Sequence, residues 1–149
     1  MDIILWRHAE AEDSWPDEKR RLTKKGREQA ARVGRWLRER LPSYRLISSP
    51  AARARETAEG LDAAYGLMTE LYAGASVMDV LEAAGWPRAE APVVLVGHQP
   101  LLGEIAAYLM TRRTESWPIK KGAIWWFRCE QAGGGIGSEL VASITPKLA

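Results

Sequence analysis

Apolar positions along this chain come in two textures. Uninterrupted runs occur at Ile3-Ile4-Leu5-Trp6 and Val93-Val94-Leu95-Val96. Runs of that length without polar alternation read as strands buried on both faces. Leu46-Ile47-Ser48-Ser49 is a third, shorter strand, stopped by Pro50. Elsewhere the apolar residues keep helical spacing. Ala30, Val33, Leu37 and Leu41 follow Thr23, whose hydroxyl is placed to cap the helix, and Pro42 ends it. The Ala-rich stretch from about Ala52 to Tyr65 predicts a second helix closed by Gly66. Residues 70–74 read as loop. Val77, Val80 and Leu81, capped by Ser76, predict a short helix ending at Gly85. Leu101, Ile105, Tyr108 and Leu109 predict another, after Pro100. The runs Ala123–Phe127 and Glu139–Ile144 flank three glycines, Gly133 to Gly135, and read as an antiparallel hairpin.

Strand, helix, strand, helix, strand, helix and hairpin form an α/β pattern. It predicts a three-layer α/β/α sandwich: a mostly parallel central sheet with a C-terminal antiparallel hairpin. The 149 residues suit one domain, 1–149. With 46% hydrophobic and 27% charged residues, the composition is that of a folded globular chain. No apolar run nears the ~20 residues that span a bilayer, and the N-terminal residues lack a signal-peptide pattern. The expectation is a cytoplasmic protein with no membrane association. Cys129 is the only cysteine, which excludes an internal disulfide and a cysteine-based zinc site. It reads as a small buried hydrophobe in a strand.

Net charge is only +2, too little to suggest nucleic acid, and no aromatic–basic RNA motif is present. The charge is unevenly spread. Residues 1–55 hold 14 Lys/Arg against 8 Asp/Glu, whereas residues 56–149 hold 7 against 11. The cationic half carries most of the candidate chemistry, which suits an anionic substrate.

The chain has two histidines, and both directly follow an apolar strand: His8 after the first, His98 after the clearest one. In parallel sheets functional groups gather beyond the carboxyl ends of the strands. Neighbouring strands would therefore bring the two imidazoles together. Arg7 precedes His8, and Arg53 opens a helix after the Leu46–Ser49 strand, near the same edge. Two guanidinium forks suit phosphate oxygens. Fixed donors stabilise the charge on a transferring phosphoryl group. A neutral imidazole, with an ordinary pKa of about 6.5, is nucleophilic near neutrality. This chemistry requires no metal and no cofactor.

Four segments, in this order, resemble the histidine phosphatase (phosphoglycerate mutase-like) superfamily. They are Arg7-His8-Ala9, Leu22-Thr23-Lys24-Lys25-Gly26-Arg27-Glu28-Gln29-Ala30, Ser49-Pro50-Ala51-Ala52-Arg53-Ala54-Arg55-Glu56-Thr57-Ala58, and Val96-Gly97-His98-Gln99-Pro100. Ala9 stands where the family signature has glycine. The small size, the Arg21-Leu22-Thr23 run and Lys121-Gly122-Ala123 resemble the SixA-type phosphohistidine phosphatases.

The resemblance implies that His8 carries the phosphoryl group while Arg7, Arg53 and His98 hold its oxygens. Arg21 either lines the site or belongs to a solvated basic run. Glu70 stands where an acid for the leaving group could sit, or is a loop-edge surface residue. An imidazole leaving group needs such an acid less than an alkoxide does. The implied activity is metal-independent hydrolysis of a protein phosphohistidine, with signal-transduction partners: a histidine-phosphotransfer or phosphocarrier protein. Alternatives are a phosphatase for small phosphomonoesters and a phosphate-binding module without turnover. Trp125-Trp126 places one indole on each sheet face, so one of them could serve a docking surface.

Overall fold

The computed structural model describes residues 1–149. Six strands form one sheet: β1 (Asp2–Arg7), β2 (Arg45–Ser48), β3 (Gly66–Leu67), β4 (Val93–Gly97), β5 (Ile124–Ala132) and β6 (Gly135–Ile144). Their order is β3-β2-β4-β1-β5-β6. The pairs β2–β3, β2–β4 and β1–β4 are parallel, while β5 runs antiparallel to β1 and β6 antiparallel to β5.

The unbroken apolar runs lie at the centre, and alternation along them feeds both faces. Ile3 and Leu5 of β1, with Val93 and Leu95 of β4, enter one core. Ile4, Trp6, Val94 and Val96 enter the other. Helices α3 (Val77–Ala83) and α4 (Leu101–Thr111) cover the first core, and α1 (Lys24–Arg38) and α2 (Ala52–Ala58) the second. The sandwich therefore has three layers. Cys129 is buried and free.

Local signals act as expected at the helix starts. Thr23 Oγ1 accepts from the Gly26 amide at 3.0 Å. Ser76 and Asp79 form a reciprocal capping box. Gly26 is required for close packing: a Cβ there would lie 2.0 Å from the Glu10 carbonyl oxygen. That contact sets the start of α1 against the loop leaving β1.

Three expectations need correcting. The predicted helix from Ala52 to Tyr65 ends at Ala58 and continues only as a short 3-10 turn, Glu59–Leu61. Gly66 then opens a two-residue edge strand instead of closing a helix. Neither indole of Trp125-Trp126 stands free: Trp125 packs on the first core, and Trp126 is edge-on to Trp36. The exposed tryptophan is Trp15, at 88%.

Candidate active site

β1 and β4 are adjacent and in register, with Arg7 opposite Gly97. The next residues on the two strands are His8 and His98. The His8 amide donates to the Gly97 carbonyl at 3.0 Å, so the chain beyond β1 stays tied to the end of β4. The ring centroids lie 5.2 Å apart and both side chains are buried. Ser49, one residue past β2, is fixed next to them by the hydrogen bond its amide donates to the Val96 carbonyl, 2.9 Å.

The two rings have different partners. His8 Nδ1 lies 2.7 Å from the Ala9 carbonyl oxygen. A carbonyl only accepts, so Nδ1 carries the proton in the neutral ring, and Nε2 keeps its lone pair. His98 Nε2 lies 2.8 Å from Ser49 Oγ, and its Nδ1 has no protein partner. Thr57 braces the His8 loop: its hydroxyl donates to the Arg53 carbonyl at 2.7 Å and accepts from the Ala9 amide at 3.0 Å. The nucleophile candidate and the arginine-bearing helix α2 are thereby joined through one side chain.

Both arginines are held from behind. Arg7 Nη1 donates to the Ile119 carbonyl at 2.8 Å. Arg53, only 6% exposed, donates to the Asp17 carbonyl at 2.7 Å and to Asp17 Oδ2 at 3.1 Å. Buried side-chain polar atoms usually find a partner. Four here have none, and three belong to this cluster: Arg7 Nε, Arg53 Nε and His98 Nδ1.

Burial is the largest influence on both imidazoles. It takes His8 from 6.5 to about 3, and the charges of His98, Arg53 and Arg7 push the same way while the Ala9 bond opposes. His98 falls to about 4 through burial and the charge of Arg53, with Asp17 opposing. Both rings are therefore neutral near neutrality. Burial lowers the pKa of the Arg7 guanidinium below its ordinary value. The site presents guanidinium charge and an uncharged nucleophilic nitrogen together, a combination suited to a phosphoryl dianion.

Of the six residues the sequence nominates, four converge: Arg7, His8, Arg53 and His98. Arg21 does not join them. Its side chain is 70% exposed and bonds Glu56 Oε2 at 2.9 Å. Arg20 is the member of that basic run turned toward the site, reaching Asp17 Oδ1 at 3.3 Å. Glu70 is half-buried, and the one side-chain hydrogen bond it makes is a long contact of 3.4 Å from the Thr69 hydroxyl.

Sequence reasoning missed Asp17, Tyr72, Thr57 and Ser49. Asp17 also accepts from the Tyr72 hydroxyl at 2.9 Å, and Tyr72 stands edge-on to His98 with centroids 5.6 Å apart. Desolvation pushes the Asp17 carboxyl up, but the bonds from Tyr72 and Arg53 outweigh it and leave it below its ordinary 3.8. Asp17 is thus a carboxylate. A cavity of about 300 Å³ lies beside His98, lined by Tyr72, Gln99 and Glu104 among others.

The sequence and fold have counterparts among known proteins. Residues 3–92 match the family model of the histidine phosphatase superfamily, branch 1. A phosphohistidine phosphatase SixA homolog of Haemophilus influenzae is 34% identical over 131 residues, covering 76% of this chain and 79% of the relative. The solved structure of the protein histidine phosphatase SixA complexed with tungstate superposes with a TM-score of 0.84 at 24% identity, covering 99% of this chain and 98% of that one. A SixA structure from Nakamurella multipartitia gives a TM-score of 0.79 at 27% identity, covering 97% and 95%. The chain therefore belongs to the histidine phosphatase superfamily, SixA-like in sequence and fold, and is a hydrolase acting on phosphoryl groups.

Proposed function

We propose that this protein hydrolyses phosphohistidine on a partner protein through a phosphorylated His8. The observation that carries this reading is the 2.7 Å contact of His8 Nδ1 with the Ala9 carbonyl, which leaves Nε2 as the nucleophilic atom. In the first step Nε2 attacks phosphorus, the Nε2–P bond forms and the P–N bond of the substrate breaks. A substrate ring protonated at its other nitrogen leaves as neutral imidazole, so no acid is consumed. Phosphorylated His8 is then cationic, keeps its Nδ1 proton and donates that hydrogen bond to the Ala9 carbonyl. In the second step water attacks phosphorus and the Nε2–P bond breaks. Dihydrogen phosphate leaves and neutral His8 returns. Arg7, Arg53 and His98 hold the equatorial oxygens, where charge is spread in the transition state. No metal takes part in this route.

A second reading, hydrolysis of small phosphomonoesters, is favoured by the cavity of about 300 Å³ beside His98, which has room for a small organic group. One experiment separates the two. The parent and His8→Ala proteins are incubated with a phosphohistidine-bearing phosphotransfer domain and with a panel of phosphate esters. The phosphoprotein reading expects fast release from the domain and little from the esters. Turnover of esters alone removes it, and undiminished activity of His8→Ala removes the covalent route.

A further inference from the structure

We propose that a basic hollow beside the nucleophile strand docks an acidic face of the phosphorylated partner protein. This inference rests on the phosphoprotein reading above and names the chemistry of its partner. The hollow, about 470 Å³, is lined by Lys25, Arg32, Lys120, Lys121 and Lys147, with Glu28 the only carboxylate. The whole chain carries only +2, so the remainder of the molecule is net anionic.

Two observations make this more than a scatter of surface lysines. The first is position. The turn carrying Lys120 and Lys121 is bonded to the nucleophile's own backbone: the Gly122 amide lies 3.1 Å from the Arg7 carbonyl and 3.0 Å from that of His8. On the other wall, Gln29 accepts from the Glu10 amide at 3.0 Å, two residues beyond His8. Both walls are thus anchored to the strand end where the phosphoryl group would sit.

The second observation is that these charges are uncompensated. The five ion pairs of the chain are Arg20–Asp17, Arg21–Glu56, Arg40–Glu39, Arg53–Asp17 and Arg128–Asp2, and none uses a lysine. Arg32 is spent on main-chain oxygens of Ala149 and Lys147. On the other flank, by contrast, Lys19, Arg21 and Arg55 share a hollow with Glu18, Glu56 and Glu59, three cations against three carboxylates. Of the two hollows, only the first thus presents a net positive charge to an approaching surface. Complementary charge of this kind raises the encounter rate and fades with salt.

The test compares the parent with a Lys25→Gln, Lys120→Gln, Lys121→Gln, Lys147→Gln variant and with Glu28→Gln. The substrates are a histidine-phosphotransfer domain of net negative charge, phosphorylated on histidine, and free phosphohistidine. At low ionic strength the quadruple variant should lose about 10- to 100-fold in kcat/KM on the domain, through KM. It should match the parent on free phosphohistidine and converge with it on the domain at high salt. Glu28→Gln should gain a few-fold on the domain. Equal loss on both substrates, or no loss on the domain, overturns the docking site while leaving the phosphoprotein reading intact. A parent that never turns over the domain overturns both.

Discussion

His8 and His98 occupy equivalent places, one residue past adjacent parallel strands, yet their surroundings differ. His8 spends Nδ1 on a backbone carbonyl, an acceptor that cannot rotate or ionise. His98 spends Nε2 on the Ser49 hydroxyl, which can donate or accept, and it stands beside Tyr72 and Asp17. The first arrangement fixes one tautomer and with it one nucleophilic nitrogen. The second leaves the tautomer adjustable, which suits a ring that contacts phosphoryl oxygens without bonding to phosphorus. What sets the role of a histidine here is the partner of its other nitrogen, since strand position and burial are shared.

The largest effect should come from breaking this asymmetry at each ring in turn. His8→Ala should lower kcat/KM by ~10⁴-fold or more, as expected when a nucleophile is removed. His98→Ala should cost ~10²- to 10³-fold, the usual loss for one transition-state donor. Trapping with labelled substrate under an alkaline denaturing quench, which preserves the P–N bond, gives the sharper readout. The His98 variant should still accumulate label on His8, and the His8 variant should accumulate none. Label on His98 in either protein would reverse the assignment.

The shared burial makes a second prediction. Both rings titrate near 6.5 when unfolded and at about 3 and 4 when folded. Above 6.5 neither state binds the proton and no penalty exists. Below 6.5 the unfolded chain binds protons that the native state refuses, so stability falls with falling pH. Each ring contributes about 1.4 kcal/mol per pH unit until its folded pKa is reached. Urea unfolding between about pH 7 and pH 5 should show this slope, and a His8→Gln, His98→Gln protein should lose most of it. An identical slope in that variant would mean that other groups drive acid unfolding. For the same reason, kcat/KM should have no acid limb near 6.5.

The paired histidines were legible because buried parallel strands announce themselves as unbroken apolar runs. A polar residue ending such a run therefore has a known address. Arg53 was legible by the same logic from the Leu46–Ser49 strand. Asp17 was not. It lies in a polar stretch with Glu10, Glu12, Asp13 and Glu18, and no local pattern distinguishes the one carboxylate that folds back onto Arg53. The basic run that follows is opaque for a similar reason. Three consecutive basic positions, Lys19, Arg20 and Arg21, leave the inward one to be chosen by tertiary contacts, and Glu56 draws Arg21 outward. The edge strand β3 is two residues long and exposed, so it has no apolar run to read.

Asp17 also supplies the smallest test of the contrast between the rings. Its carboxylate faces the His98 side, bonded to Arg53 and Tyr72, and its charge raises the affinity of His98 for a proton. An incoming phosphoryl dianion must share Arg53 with this like charge. Asp17→Asn keeps the shape and the backbone carbonyl bond to Arg53 but removes the repulsion. A partly solvated charge pair of this kind is worth about 1 kcal/mol. Tungstate or vanadate should therefore bind the Asn variant roughly fivefold more tightly, and the gain should shrink as salt is added. His98 should titrate lower while His8 hardly moves, which NMR of the two imidazoles resolves ring by ring. Weaker oxyanion binding in Asp17→Asn would mean that the carboxylate's hold on Arg53 matters more than its charge, and that Asp17 orients the guanidinium for the substrate instead of competing with it.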